Sequence, residues 1–303
     1  MARLFCLDSV MIDIVLRVSA LPLKGGDVLA SERLMTTGGG FNAMSAASRQ
    51  GMKSVYAGRL GTGLFSAVAR SALDAEGILA PVAPDEDRDV GTCLVLLEPD
   101  GERTFVTFAG SETTLDRGHL ETLGVQPGDV VLVSGYNVMY PGQVETVLSW
   151  VNSLEGVTVA FDPATRMVDI PEHNLAAMLK RADWLLCNRH EATALTDLES
   201  PLEAANELRE RHGFGVVLRQ GAQGCVVAAP GVEALEVAGF LTRVVDLNGA
   251  GDVHNGAFLA ELDRGADPVS AARWANAAAA VAVSFLGPAS GPTREELDRW
   301  LVT

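Results

Sequence analysis

The segment DLNGAGDVHNGAF, residues 246–258, joins a glycine turn to an acidic residue at the start of a helix-forming run. Backbone N–H groups of small residues such as Gly249, Ala250 and Gly251 can converge on an anion, and a helix starting there adds its positive dipole end. Asp252 beside an anion is unfavourable unless the carboxylate accepts a proton from a hydroxyl that attacks a phosphoryl group. These residues predict phosphoryl transfer, with an ordinary glycine turn and a helix cap as the alternative.

A second glycine cluster lies far upstream, in MTTGGGFNAMSAASRQG, residues 35–51. It opens a helix of small residues with Asn42 in the first turn. Asn42 can donate and accept hydrogen bonds, which suits a polyol, and it could equally cap the helix. Asp13 interrupts an apolar strand nearby in sequence, and a buried carboxylate needs partners, which sugar hydroxyls or backbone amides would supply.

Short apolar runs alternate with helical segments after about residue 125, for example VVLVSGY before QVETVLSWVNSL. This rhythm predicts an α/β fold with a central, mostly parallel sheet flanked by helices. Ligands bind beyond the carboxyl ends of such strands, and Asp162, Asn188 and Gly221 each follow a predicted strand. Two strand-like stretches, 13–35 and 92–108, have no helix between their strands, and the turn PDGE in the second predicts a hairpin.

The two glycine segments together resemble the two sequence signatures of the PfkB, or ribokinase-like, sugar and nucleoside kinases. Residues 38–42 are similar to the first signature and residues 246–252 to the second. Later segments resemble further family motifs in the expected order: EPDGERTFVTFAG, DPATR, NRHEA, RQGAQG and ANAAAAVAV. EPDGERTF and SGY are also similar to an uncharacterised bacterial sugar-kinase branch.

The resemblance implies one ribokinase-like kinase domain over residues 1–303. A small β-lid from about 13–35 and 92–108 would cover the substrate and form a homodimer contact. The implied reaction is ATP-dependent phosphorylation of a hydroxymethyl group of a sugar or sugar-like molecule. Asp252 would be the base and Gly249, Ala250 and Gly251 the anion hole. The implied substrate residues are Asp13, Gly39, Gly40 and Asn42.

The implied nucleotide residues follow predicted strands or lie on a late helix: Asn188, Arg219, Gly221, Gly224 and Asn276. Asn188 and Glu191 are three residues apart at a predicted helix start, where they could organise a water-coordinated Mg²⁺. The same spacing fits a helix cap and capping box. Gly221 and Gly224 could be turn glycines, and Asn276 a packing or capping detail.

The resemblance also implies a possible K⁺ site at Asp246 and Ser290, since hard cations prefer oxygen ligands. Some positions depart from the family pattern. Asp8 stands at a usual glycine and His254 at a usual aromatic position. Arg166 either reaches the phosphates or pairs with Asp162.

The net charge and the cysteines of the chain limit which classes of partner and metal site can be expected. The 303 residues carry a formal net charge of −16, which opposes binding to nucleic acid or to an anionic membrane surface. The 4 cysteines are isolated in apolar runs, which predicts reduced thiols in a cytoplasmic protein and no structural zinc.

Three rival functions follow from the same residues. A nucleoside kinase on the same fold would sandwich a base with aromatic side chains, and Phe41, Phe105, Phe108 and Tyr136 are available. A non-catalytic sugar or nucleotide sensor is disfavoured by the intact Asp252 motif. An NAD-binding dehydrogenase is disfavoured because GGGFN lacks the G-x-G-x-x-G spacing.

Overall fold

The computed structural model describes residues 2–287 and 291–302. The described residues form twelve strands: β1 (Arg3–Cys6), β2 (Val10–Arg17), β3 (Glu32–Gly39), β4 (Lys53–Tyr56), β5 (Thr92–Leu97), β6 (Arg103–Phe108), β7 (Val130–Ser134), β8 (Thr158–Asp162), β9 (Trp184–Asn188), β10 (Gly215–Arg219), β11 (Gly224–Ala229) and β12 (Val232–Ala238). Their α-helices are α1 (Gly40–Arg49), α2 (Leu64–Ala75), α3 (Arg117–Glu121), α4 (Gly135–Met139), α5 (Val144–Ser153), α6 (Glu172–Arg181), α7 (Arg189–Thr196), α8 (Pro201–His212), α9 (Ala250–Asp263), α10 (Pro268–Ala282) and α11 (Arg294–Leu301).

The larger sheet has eight strands in the order β12-β11-β10-β9-β8-β7-β1-β4. The strands from β10 to β4 pair in parallel, whereas β11 and β12 add an antiparallel meander at one edge. The predicted α/β fold with a mostly parallel central sheet is therefore confirmed.

Helices cover both faces of this sheet, which explains why its strands read as continuous apolar runs. In β7, Val130 and Leu132 belong to a core shared with α1, α9 and α10. Val131 and Val133 point to the opposite face, into a core shared with α5, α6 and α8. Alternation of side chains along each strand thus divides the apolar residues between two cores.

A smaller sheet of four strands has the order β3-β2-β5-β6, in which β2 and β5 are parallel and the two outer pairs antiparallel. It is built from the two segments predicted to form the lid, although β2 starts at Val10 and β3 ends at Gly39, beyond the predicted 13–35. Val106 and Phe108 on its outer strand are largely exposed. Closure over a substrate and a homodimer contact through this sheet stay predictions.

The helices α1 and α9 pack closely beside the ends of the parallel strands. A Cβ on Gly256 of α9 would collide with the Ala43 carbonyl oxygen and would lie 2.9 Å from the Ala47 nitrogen of α1. Glycine at 256 therefore permits the close approach that brings the starts of both helices to one place. No helix within the described ranges is both long and apolar enough to cross a membrane.

Candidate active site

A cavity of about 960 Å³ lies at the carboxyl ends of the parallel strands, where β8, β9 and β10 end and α9 begins. Twelve of the residues selected from the sequence line its wall: Asp13, Gly39, Asn42, Asn188, Glu191, Arg219, Gly221, Gly224, Ala250, Gly251, Asp252 and Asn276. Gly40, Gly249 and Asp246 are not among the residues that line it, and Ser290 lies outside the described residues. The cavity therefore brings together most of the residues for which the sequence predicted a role.

Asp252 lies in the first turn of α9 and faces the cavity. Gly249, with a φ of 74°, caps the helix in the left-handed region that glycine tolerates, so the chain can turn sharply into α9. The amide hydrogens of a first helical turn have no partner within the helix and bear its positive dipole end. A carboxyl group thus lies beside a helix start whose amides could bind an anion.

The Asp252 carboxylate is held by α1. The Asn42 side-chain amide donates a hydrogen bond to Asp252 Oδ2 at 2.9 Å. Burial raises the pKa of Asp252 to about 6 and the nearby Asp162 also raises it, whereas the Asn42 hydrogen bond and Arg219 lower it. A pKa close to neutrality suits a group that must accept a proton.

A polar network lies directly beside Asp252. Asp162 at the end of β8 accepts hydrogen bonds from Arg219 Nη2 at 3.1 Å and from Asn255 Nδ2 at 2.6 Å. Arg219 Nη1 also donates to Asn255 Oδ1. Arg219 is consequently oriented at the end of β10 with its positive charge toward the cavity.

Sequence reasoning missed Asn255 in this network. The signal was available, because Asn255 is three residues after Asp252 and helical residues three apart share a face. Arg166, one of whose predicted partners was Asp162, is instead paired with Asp169 at 2.8 Å. The pairing of Arg166 with Asp162 was therefore wrong.

Asn188 and Glu191 form the capping box that the sequence offered as the alternative to a metal role. Asn188 Oδ1 accepts from the Glu191 backbone amide at 3.0 Å, and Glu191 Oε2 accepts from the Asn188 amide at 2.8 Å. Glu191 is buried, and burial followed by the charge of Asp162 raises its pKa to about 7. The cap and the cavity wall are thus formed by the same two side chains.

The carboxylates of Glu191 and Asp162 also fit a magnesium ion. Mg²⁺ takes oxygen ligands, commonly one or two carboxylates with water and substrate phosphates completing the shell. Asp162 raises the pKa of Glu191 by like-charge repulsion, which a divalent cation in the cavity would relieve. Among the described residues, no three His, Cys, Asp or Glu side chains are placed so that they could hold a metal ion together, so the protein alone would supply few ligands.

Three glycines at the start of α1, Gly38, Gly39 and Gly40, leave room for the segment between β1 and β2 and for Asp13. Gly39 has a φ of 67° and caps α1, and a Cβ on Gly40 would lie 2.7 Å from the Asp8 carbonyl oxygen. A Cβ on Gly38 would collide with the Asp13 carboxylate. Burial, followed by Asp252, raises the pKa of Asp13 to about 6. The glycines therefore let Asp13 and Asn42 reach the same end of the cavity.

Asp246 contacts the smaller sheet rather than the cavity. Its carboxylate pairs with Arg103 Nη2 of β6 and accepts from the Asn248 amide at 2.9 Å and the Gly287 amide at 3.2 Å. Among the described residues, three hydrogen-bond donors, one of them cationic, surround this carboxylate. A monovalent cation therefore does not fit at Asp246 while the Arg103 pair is in place.

His254 and Asn276 bond to each other at 3.1 Å, between His254 Nε2 and Asn276 Oδ1. The Asn276 amide also donates to the carbonyls of Val237 and Ala238 at 3.0 and 3.2 Å. Burial and Arg219 lower the pKa of His254 to about 3, so its imidazole is neutral. Asn276 joins α9 and α10 to the end of β12 at the wall of the cavity.

Comparison with known proteins gives consistent matches across the chain. The family described as pfkB family carbohydrate kinase matches residues 1–294. The uncharacterized sugar kinase YegV of Escherichia coli is 32% identical over 292 residues, which cover 95% of this chain and 90% of YegV. The ribokinase of Bacillus subtilis is 27% identical over 307 residues, covering 99% of this chain and 100% of that enzyme.

The fold has equally extensive matches among solved structures. The crystal structure of ribokinase from Thermotoga maritima superposes with a TM-score of 0.85 at 26% identity, covering 100% of both chains. The sequence and structure comparisons thus both extend over almost the whole chain.

Proposed function

The chain belongs to the pfkB family of carbohydrate kinases, and on that premise we propose that it transfers the γ-phosphoryl group of ATP to a hydroxymethyl group of a sugar. The observation that carries the proposal is the placement of Asp252. Its carboxylate is fixed by Asn42 at 2.9 Å and lies in the first turn of α9, where the anion site would be. A hydroxyl that contacted Asp252 would therefore also face a bound phosphoryl group.

Asp252 would act as the base. The oxygen of the acceptor hydroxyl attacks the γ-phosphorus, its proton passes to the Asp252 carboxylate, and the bond to ADP breaks. The amides at Gly249, Ala250 and Gly251 would stabilise negative charge that develops on the transferred group. Arg219, oriented by Asp162 and Asn255, would add a positive charge beside the phosphates.

The nucleotide would occupy the part of the cavity formed by β10, β11 and α10. Gly221 and Gly224 follow β10 and line this part, and Asn276 lines it from α10. Asn188 and Glu191 would hold Mg²⁺, through water, at the phosphates. A bound Mg²⁺ would neutralise phosphate charge and orient the chain of phosphates.

The acceptor would occupy the opposite end of the cavity. Asp13 and Asn42 line this end and present oxygen and amide groups to sugar hydroxyls. Gly39 lines it through its backbone, and Gly40 keeps α1 close to Asp8. The smaller sheet would close over the acceptor and exclude water, so that ATP is not hydrolysed.

A nucleoside acceptor is the second candidate. Two of the four aromatic residues considered from the sequence, Phe105 and Tyr136, line the cavity and could contact a base. Phe41 is buried at 5% exposure in the core instead. Inosine and adenosine in competition with ribose and fructose would separate the two acceptor classes.

Substitution Asp252→Asn tests the mechanism. We expect kcat to fall by roughly 10²–10⁴-fold while ATP binding is retained, because the base is lost and the cavity is unchanged. The assay measures ADP formation with Mg²⁺ and the best acceptor of a sugar and nucleoside panel, and ATP binding by calorimetry. Asp74→Asn, an exposed position on α2, is the matched control. A kcat for Asp252→Asn within threefold of the wild type would exclude Asp252 as the base.

A further inference from the structure

The acceptor end of the cavity is lined by hydrogen-bond acceptors. The carboxylates of Asp8, Asp13 and Asp252 all line it. Asp8 Oδ1 accepts from the Ser9 amide at 2.8 Å, which fixes the carboxyl group at the end of β1. The charges of these groups interact, since Asp252 raises the pKa of both Asp8 and Asp13 after burial.

Two further polar atoms at this end have no partner within the described part of the chain. They are Asn42 Oδ1 and Ser9 Oγ, and each residue is only 3% exposed. Both residues line the cavity. A buried polar atom without a hydrogen bond is unfavourable, so a donor that reached these atoms from the cavity would stabilise a bound molecule. Asn42 Oδ1 can only accept, which requires a ligand with O–H or N–H donors.

Both guanidinium groups that line the described part of the cavity are paired with carboxylates. The guanidinium groups among the described lining residues are Arg166 and Arg219. Arg166 pairs with Asp169 at 2.8 Å and is largely exposed, and Arg219 pairs with Asp162 at 3.1 Å. A carboxylate or phosphate on the acceptor would therefore meet Asp8 and Asp13 without a free cation to compensate.

We propose that the acceptor is a polyol without negative charge, either a neutral sugar or an amino sugar, and that Asp8 is the residue that excludes sugar acids and sugar phosphates. This inference rests on the proposed kinase function and names the acceptor class of the same site. Hydroxyl or ammonium donors would satisfy the carboxylates, Asn42 Oδ1 and Ser9 Oγ together. Rejection of anions would come from charge repulsion across the small acceptor end of the cavity.

The test uses matched sets of compounds: ribose, ribonate and ribose 1-phosphate, with glucose, glucosamine and gluconate. Binding is measured by calorimetry and phosphorylation by ADP formation, both at pH 8, where Asp8 with its pKa of about 7 is ionised. We expect the wild type to bind the best neutral or amino compound at least about tenfold more tightly than its matched anion. Tighter binding of the anion would overturn the inference.

The variant Asp8→Asn keeps an acceptor oxygen for the Ser9 amide and removes the charge. We expect the ratio of affinity for the neutral compound to affinity for its matched anion to fall by roughly tenfold. Asp8→Ser is a second variant without the charge. Asp74→Asn is the exposed control and should leave the ratio unchanged. A ratio unchanged within twofold in both Asp8 variants would overturn the role of Asp8. Absence of phosphorylation across the panel, with the binding ratio intact, would instead overturn the proposed kinase function.

Discussion

The carboxyl group of Asp252 is subject to opposing influences. Burial raises its pKa, and Asp162 adds to that effect, while the Asn42 hydrogen bond and Arg219 lower it, with a result of about 6. Because a base must be ionised, kcat should fall as the pH decreases through about 6. Asn42 therefore has two roles in the proposal, since it contacts the acceptor and keeps the base ionised at neutral pH.

Substitution Asn42→Ala separates these roles through the pH profile. Loss of the donor to Asp252 Oδ2 should raise the pKa of Asp252 further and move the acidic limb of the kcat profile upward by about one pH unit. The measurement is kcat with saturating acceptor from pH 5 to pH 9. Asn152→Ala, an exposed change on α5, is the control. An unmoved limb together with a raised KM would assign Asn42 to acceptor binding alone.

At the scale of elements, the start of α7 has a structural role and, in the proposed function, a chemical one as well. The capping box between Asn188 and Glu191 stabilises the helix, and both residues line the cavity. Removal of an N-cap side chain typically lowers the free energy of unfolding by about 1 kcal/mol. Two substitutions can therefore distinguish the cap from the magnesium site.

Glu191→Gln keeps one side-chain oxygen that can accept from the Asn188 backbone amide and removes the charge. We expect an increase of roughly tenfold or more in the Mg²⁺ concentration for half-maximal rate, with little change in thermal stability. Asn188→Ala should instead lower the free energy of unfolding by about 1 kcal/mol. The measurements are Mg²⁺ titrations of kcat and thermal unfolding of both variants. A normal Mg²⁺ response in Glu191→Gln would leave only the capping role.

The pair between Arg103 and Asp246 connects the smaller sheet to the loop before α9. It joins residues 143 apart in sequence, and both side chains are mostly buried, with 24% and 10% exposure. Loss of one partner leaves the other charge uncompensated. The position of the predicted lid and that of the anion-hole loop should therefore depend on each other.

Substitution Arg103→Ala should raise the KM for the acceptor severalfold and increase ATP hydrolysis without acceptor, because water is less well excluded. In this variant, kcat should also change when K⁺ replaces Na⁺ in the buffer at constant ionic strength. The kcat of the wild type should not change under the same exchange. Arg33→Ala, an exposed change on β3 of the same sheet, is the control. A K⁺-dependent wild type would show that the cation displaces Arg103 from Asp246.

At the scale of the whole molecule, the parallel sheet could be predicted from sequence because its buried strands are locally recognisable apolar runs. The candidate site could then be predicted to lie at the carboxyl ends of β8, β9 and β10. The contacts that orient the site could not be predicted in the same way. Asn42 and Asp252 are 210 residues apart, and Asp162 and Asn255 are 93 apart, so no local pattern indicates their pairing.

The concentration of carboxylates in one cavity also affects the stability of the fold. Burial, followed by the charge of Asp252, raises the pKa of Asp8 from 3.8 to about 7. The folded state therefore holds this proton more tightly than the unfolded state. The resulting stabilisation is fully present below pH 3.8 and is lost as the pH rises through about 7. An acceptor-binding carboxylate thus lowers stability at the pH where it functions.

Asp8→Asn should consequently stabilise the protein, and more so in alkaline than in acidic buffer. From the shift of this pKa, we expect its gain in the free energy of unfolding to be about 2 kcal/mol larger at pH 8 than at pH 5. Urea unfolding of the wild type and the variant at both pH values measures this difference, with Asp74→Asn as the exposed control. An equal gain at both pH values would mean that Asp8 is ionised in the folded state at pH 5 and is compensated by neighbouring donors. A larger gain at pH 8 would show that the ionised Asp8 carboxylate lowers the stability of the folded state.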